Sequence, residues 1–237
     1  MSTMTIDGPR RALSTYVARP SETGPHPGVV VIHDAIGMTP DARHQADWLA
    51  REGFLAAVPD LFRGGSITRC LRAMIRGYTT RRGELFDDVE AVRAWLADQP
   101  GCSASIGVIG FCFGGGFALM LAPGHGFGAS SANYGTIPRN AAQFFDGACP
   151  IVASYGAEDR SLRGASAKLD AALSQAGVEH DVKEYPGAGH GFMNDHGPGE
   201  VPALFVLAGR LLPTGYDEPS ALDARRRVVE FFRTHLS

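Results

Sequence analysis

Cysteine is scarce in this chain: four residues, at positions 70, 102, 112 and 149, with no C-x-x-C pair and no histidine at metal-ligand spacing. No disulfide framework and no zinc site is indicated, so reduced thiols and no metal are expected. Long apolar runs are also missing. No window approaches 18 continuous apolar residues, and Met1-Ser2-Thr3-Met4-Thr5-Ile6-Asp7 has no basic segment leading into an apolar block. The expectation is a cytoplasmic protein with no membrane partner. Nor is there an excess of one charge: the formal net charge is -3. One basic stretch stands out, carried by Arg63, Arg69, Arg72, Arg76, Arg81 and Arg82. A balance this close to neutral gives no whole-molecule attraction to phosphate polymers, and no nucleic acid partner is expected. Repeats and low-complexity tracts are absent.

What is present is a chain of 237 residues with 44% hydrophobic and 20% charged residues, and its 30 glycines fall between apolar runs. That length suits a single domain with one large core, expected over residues 1–237. Val29-Val30-Val31-Ile32 reads as a strand buried on both faces. Thr39-Pro40-Asp41 then opens a helix with Ala42, Ala46 and Leu49 on one face and Gly53 as its stop. Phe54 to Val58 repeats the strand pattern, and Leu85, Val89, Val92 and Leu96 recur at helical spacing. Ser105 to Ile109 is the next strand, running into a small-residue helix over Gly115 to Met120. Further strands are expected at Phe127 to Tyr134, Pro150 to Tyr155 and Glu179 to Tyr185. A helix carrying Leu162, Ala165, Leu169, Ala172 and Ala176 follows the second of these. Leu222, Val229, Phe232 and Leu236 stripe a terminal helix. Residues 63–83 read as a lid or helical excursion, and residues 199–220 as an insertion before that helix. Strands alternating with helices predict an α/β fold with a mostly parallel central sheet and helices on both faces, binding ligands at the carboxyl ends of its strands.

Gly110-Phe111-Cys112-Phe113-Gly114 lies between a strand and a helix, the context of a nucleophile elbow. The flanking glycines relieve crowding at the sharp turn, and a helix start behind the thiol favours negative charge. Thiolate is the attacking species. Downstream, Asp159 follows the strand ending at Tyr155, with Glu158 as its neighbour and competitor; either carboxylate has a helix-capping role as its alternative. His190 stands among glycines after the last strand, with His33 and His196 as fallbacks. Nucleophile, acid and histidine thus run in the order of an α/β-hydrolase, α/β-hydrolase fold included, and the expected catalytic residues are Cys112, Asp159 and His190. The expected oxyanion donors are the backbone N–H groups of Phe113 and Ala35. Asp34 is either an auxiliary carboxylate near the thiol or a turn-forming residue bonded to its own backbone. Ile36, Tyr134, Phe192 and Asn194 complete the candidates for substrate binding.

Together Val31-Ile32-His33-Asp34-Ala35-Ile36-Gly37, Pro59-Asp60-Leu61-Phe62, the cysteine pentapeptide with Gly115, Tyr155-Gly156-Ala157-Glu158-Asp159 and Gly189-His190-Gly191-Phe192 resemble the dienelactone hydrolase family, the carboxymethylenebutenolidases. The resemblance implies a Cys112–Asp159–His190 triad, no cofactor, and a small-molecule lactone or ester as substrate. Two positions depart from the family pattern. Asp34 stands where well-known members carry glutamate, and Asn194 stands where they carry an arginine that grips the substrate carboxylate. Asparagine donates hydrogen bonds but has no charge, so a bidentate clamp is lost there, leaving an arginine among residues 69–82 as the other source. Three readings stay open: a lactone or ester hydrolase, a thioesterase or broad small-ester hydrolase on the same triad, and a non-hydrolytic redox-sensing thiol or small-molecule binder. Monomer and homodimer are both compatible with the sequence.

Overall fold

The structure, a computed structural model, describes residues 1–10, 12–62, 80, 83–197, 199–201 and 214–237. The expected lid over 63–83, its arginines and Cys70 lie almost wholly outside the described residues, as does most of the expected insertion over 199–220. Among the described residues eight strands form one sheet: β1 (Ser2–Asp7), β2 (Ala12–Ala18), β3 (His26–Ile32), β4 (Leu55–Pro59), β5 (Cys102–Phe111), β6 (Ala129–Asn133), β7 (Ile151–Gly156) and β8 (His180–Tyr185). Their spatial order is β1-β2-β4-β3-β5-β6-β7-β8, with β1 and β2 antiparallel and the remaining strands parallel to one another.

The central strands are buried on both sides because both faces of the sheet are covered, and β3 and β4 carry apolar runs accordingly. Side chains alternate along β3: Val29 and Val31 enter one core and Val30 and Ile32 the other. On the first face lie α1 (Pro40–Arg51) and the terminal helix. The second face carries α2 (Glu84–Ala97), α3 (Phe113–Leu121), the short α4 (Ala141–Phe144) and α5 (Ala165–Ala176). Each fully buried Val, Leu or Phe contributes about 1.5–3 kcal/mol relative to its exposed state, so both layers hold the frame on which the site stands. Helix α1 begins where the sequence places it: the Thr39 side chain accepts from the Ala42 amide, and Pro40 takes the first turn.

Three features differ from the sequence reading. The antiparallel β1–β2 pair was not anticipated, because β1 buries only Ile6 and β2 alternates Leu13, Thr15 and Val17 inward with Ala12 and Ser14 outward. The helix expected from Leu162 is broken: a 3-10 turn spans Arg160–Leu162, and Gly164, at φ 71°, separates it from α5. The terminal helix α6 (Glu218–His235) buries Ala221, Ala224, Val228, Val229 and Phe232, while Leu222 is 56% exposed. Its inward face follows the alanines that a search for large apolar residues passes over. Among the described residues no helix is long and apolar enough to cross a membrane.

Candidate active site

Strand β5 ends at Phe111, α3 begins at Phe113, and Cys112 alone makes the turn with φ 53° and ψ -110°. A non-glycine residue with positive φ is strained, and the surrounding contacts show what holds it. A Cβ on Gly110 would lie 1.9 Å from the Gly114 carbonyl oxygen, and one on Gly114 would lie 2.2 Å from that of Ile32. Either would push the helix off the sheet. The Cys112 amide donates to the Asn133 carbonyl at 3.0 Å, which anchors the turn to β6.

Strand β7 delivers Asp159 to the same end of the sheet. The Ala157 and Glu158 amides donate to the Tyr185 and Ala188 carbonyls, tying the acid's loop to the one that follows β8. Close approach of these loops requires Gly156, where a Cβ would sit 2.3 Å from the Ala188 oxygen. Asp159 uses its two oxygens separately. Oδ1 accepts from the Ser161 amide at 2.9 Å and hydroxyl at 2.5 Å, while Oδ2 accepts from His190 Nδ1 at 2.6 Å. The capping role and the histidine contact are therefore not alternatives but two functions of one side chain. Glu158 is exposed.

His190 Nε2 then reaches Cys112 Sγ at 3.0 Å, so the three residues form one hydrogen-bonded line. Burial works against a charged ring at His190, but the bonds and charges of Asp159 and Cys112 outweigh it and push its pKa up to about 10. Burial likewise opposes ionised Asp159, yet the His190 and Ser161 hydrogen bonds hold that carboxyl below its ordinary range.

A cavity of about 420 Å³ opens on Cys112 and His190, and Ala35 and Ile36 line it. The Phe113 amide opens α3 and has no intrahelical acceptor. Asp34 lines the cavity too, with both oxygens engaged: Oδ1 accepts from the Ile36 amide at 2.8 Å and Oδ2 from His196 Nε2 at 2.8 Å. Both readings of Asp34 thus have a counterpart, the turn through one oxygen and a cavity-facing pair through the other. Burial opposes charge on His196, but the Asp34 hydrogen bond and nearby carboxylates hold its pKa above the ordinary value. His33 is structural: its Nδ1–H donates to the Asp34 carbonyl at 2.8 Å, its Nε2 accepts from the Leu61 amide at 3.2 Å, and burial drives its pKa down.

Asn194 touches the cavity and is bonded through both its amide oxygen and one amide N–H. Its oxygen accepts from the Tyr134 hydroxyl at 2.5 Å and its Nδ2 donates to Asp41 Oδ2 at 2.6 Å. Tyr134 and Phe192, expected against the substrate, are instead buried behind the histidine, with the Tyr134 ring 5.4 Å from both the His190 and Phe192 rings. Aromatic residues next to the motif have packed into the core rather than into the cavity. Sequence reasoning missed Asp41, a buried carboxylate that also accepts from Gln45 and the Asp195 amide. It missed Ser161, and Asp195 and Tyr216 at the cavity, as well. A charged residue beside Ala42 on the inward face of α1 is the signal that could have revealed Asp41. Among the described residues no group of His, Cys, Asp and Glu side chains is placed to hold a metal ion.

Comparison with known proteins agrees with this architecture. The sequence model of the dienelactone hydrolase family matches residues 13–236. A carboxymethylenebutenolidase of Rhodococcus opacus is 29% identical over 94% of this chain and 86% of its own. Among solved structures, a dienelactone hydrolase-like promiscuous phosphotriesterase from metagenomic libraries superimposes with a TM-score of 0.78 at 22% identity, covering 100% of this chain and 99% of that one. A thermophilic esterase of Thermogutta terrifontis gives 0.70 at 13% identity, covering 98% and 93%. At those identities the two structures speak to the fold alone.

Proposed function

The chain belongs to the dienelactone hydrolase family of the α/β-hydrolase superfamily, and from that premise we propose that it hydrolyses a lactone or small carboxylic ester through Cys112, His190 and Asp159, without a cofactor. The observation that carries this reading is the continuous line from Asp159 Oδ2 through the His190 ring to Cys112 Sγ, at 2.6 and 3.0 Å. Both contacts are within hydrogen-bonding reach, the first requirement for proton transfer between base and nucleophile.

In this mechanism His190 Nε2 holds the proton given up by Cys112, and the thiolate attacks the carbonyl carbon. The Ala35 and Phe113 amides receive the oxyanion. As the tetrahedral intermediate collapses, the C–O bond to the alcohol breaks, and His190 gives its proton to the departing oxygen, leaving a thioester on Cys112. Water then attacks, with His190 as base; the C–S bond breaks and the acid departs. Asp159 holds the imidazole in the required tautomer and stabilises its charged form, consistent with the raised His190 pKa. A cytoplasmic setting, which keeps thiols reduced, suits such a nucleophile.

Steady-state kinetics test the assignment. Cys112→Ala and His190→Ala are each expected to lower kcat by about 10³-fold or more, in chains that still fold. Wild-type turnover by either variant would remove that residue from the mechanism. The broader reading, a small-ester hydrolase or thioesterase on the same residues, draws support from Asn194, an uncharged amide bonded to Tyr134 and Asp41 where a cation would grip a substrate carboxylate. Initial rates on dienelactone, p-nitrophenyl acetate and an acyl thioester separate the two, activity on dienelactone alone favouring the narrow one.

A further inference from the structure

We propose that Asp41 is a positioning residue, whose buried carboxylate holds the loop after β8 so that the His190 ring stays in line between Asp159 and Cys112. This deepens the hydrolase reading and rests on it.

Asp41 is the second residue of α1 and 2% exposed, at a helix N-terminus whose unpaired amides favour a negative side chain. Burying a carboxylate is costly unless hydrogen bonds replace its water, so the donors that meet it show what the fold gains from it. Two of them come from the loop that carries His190. Asn194 Nδ2 donates to Oδ2 at 2.6 Å and the Asp195 amide to Oδ1 at 3.0 Å. Gln45 Nε2, one turn along α1, donates to Oδ1 at 3.2 Å and also to the Met193 carbonyl at 2.9 Å. From α6 the Arg225 guanidinium reaches that same carbonyl at 3.3 Å and Gln45 Oε1 at 3.4 Å. Residues 193–195 are thereby clamped to two helices. Because α1 follows directly on the loop that carries Ala35, the clamp also ties the oxyanion loop to the histidine loop. Each donor to Asp41 is an N–H, which suits the ionised carboxylate; burial raises its pKa, and the Asn194 and Asp195 donors pull against that rise.

Two contacts carry the constraint back to the imidazole. Asn194 Oδ1 accepts from the Tyr134 hydroxyl at 2.5 Å, and the Tyr134 and His190 rings meet edge to face, 5.4 Å apart at 65°. Tyr134 has little freedom of its own: it is buried, its φ is 42°, and its amide donates to the Ser154 carbonyl at 2.7 Å. The bond from Nδ1 to Asp159 leaves the imidazole able to turn about it, and an edge-to-face neighbour restricts that turn.

Substitutions at position 41 test the proposal through kcat per folded chain and through the His190 Nδ1 proton. That proton, bonded to Asp159, is read as a downfield resonance identified by its loss in His190→Ala. Asp41→Ala is expected to lower kcat on p-nitrophenyl acetate about 10²-fold with KM within about threefold, because a displacement near 1 Å at the histidine suffices for such a loss. Its resonance should shift or broaden, although Asp41 touches neither His190 nor Asp159. Asp41→Asn should lose only about tenfold, since the Asn194 amide can turn over to meet the new N–H. Asp41→Ala combined with Asn194→Ala should cost no more than the larger single loss, because both break one link. Where Asp41→Ala fails to fold, Asp41→Asn and Asn194→Ala carry the same two readouts. An unmoved resonance, a kcat within about twofold of the unaltered chain, or losses that simply add each overturns the proposal. Failure of the hydrolase reading has a different signature: Cys112→Ala would hydrolyse esters at the unaltered rate while the His190 resonance still moved with Asp41.

Discussion

Two aspartate–histidine pairs face the same cavity, Asp159–His190 at 2.6 Å and Asp34–His196 at 2.8 Å, and their chemistry diverges at the far nitrogen. In His190 that atom, Nε2, meets Cys112 Sγ at 3.0 Å. In His196 the far atom, Nδ1, is buried with Glu200 at 3.7 Å and has no hydrogen-bond partner among the described residues. A histidine bonded to a carboxylate is thus not by itself a catalytic pair; what it presents to its third partner decides. The first pair is aimed at the Cys112 sulfur. The second is a brace, joining the loop that carries Ala35 to the segment after the histidine loop.

The comparison can be broken most directly by exchanging its members. His190→Ala is expected to cost about 10³-fold or more in kcat, whereas His196→Gln, which keeps a donor near Asp34, should cost about tenfold or less. Equal losses would make the two histidines partners in catalysis. Asp159→Asn should retain binding but reduce kcat by about 10²–10⁴-fold, because the imidazole loses the acceptor that fixes its tautomer. The corresponding Asp34→Asn should act mainly on stability, lowering it by about 1–3 kcal/mol in urea unfolding, through the loss of a largely buried charged hydrogen bond.

Both pairs also predict a pH dependence of the same sign. His190 and His196 each bind a proton more tightly in the folded chain than at the ordinary value of 6.5, His190 up to about 10. The stability they contribute is therefore fully present below about pH 6.5 and lost as pH rises through the folded values, for His190 through about 10. Unfolding free energies measured between these limits should fall, and His190→Gln or His196→Gln should each flatten the fall. A slope unaffected by either substitution would contradict the raised values. The smallest effect is expected for Glu158→Gln, an exposed change beside the acid, at under about 0.5 kcal/mol and with unaltered kcat.

How far the sequence could be read follows the same division. Cys112, Asp159 and His190 each leave a strand end among glycines, so local pattern and chain order suffice to single them out. The close contacts at Gly110, Gly114 and Gly156 show why those glycines are there. Strands β3, β4 and β7 were legible because burial on both faces makes apolar runs. The Asp34–His196 pair joins residues 162 positions apart, and Asn194–Asp41 joins residues 153 apart. No spacing rule marks such contacts; packing makes them. The same holds for Tyr134 and Phe192, which their neighbourhood to the motif suggested for substrate contact and which the fold draws into its core. Asp159 offered two readings and has both, because a carboxylate has two oxygens.

The central claim is that Cys112 carries the acyl group, and rapid acid quenching during turnover of p-nitrophenyl acetate, followed by peptide mass analysis, tests it most directly. One acetyl group per chain on the peptide containing Cys112, absent from Cys112→Ala, is the predicted result. Sustained turnover with Cys112 unacetylated in the unaltered chain, together with a Cys112→Ala chain that hydrolyses at the unaltered rate, would contradict it.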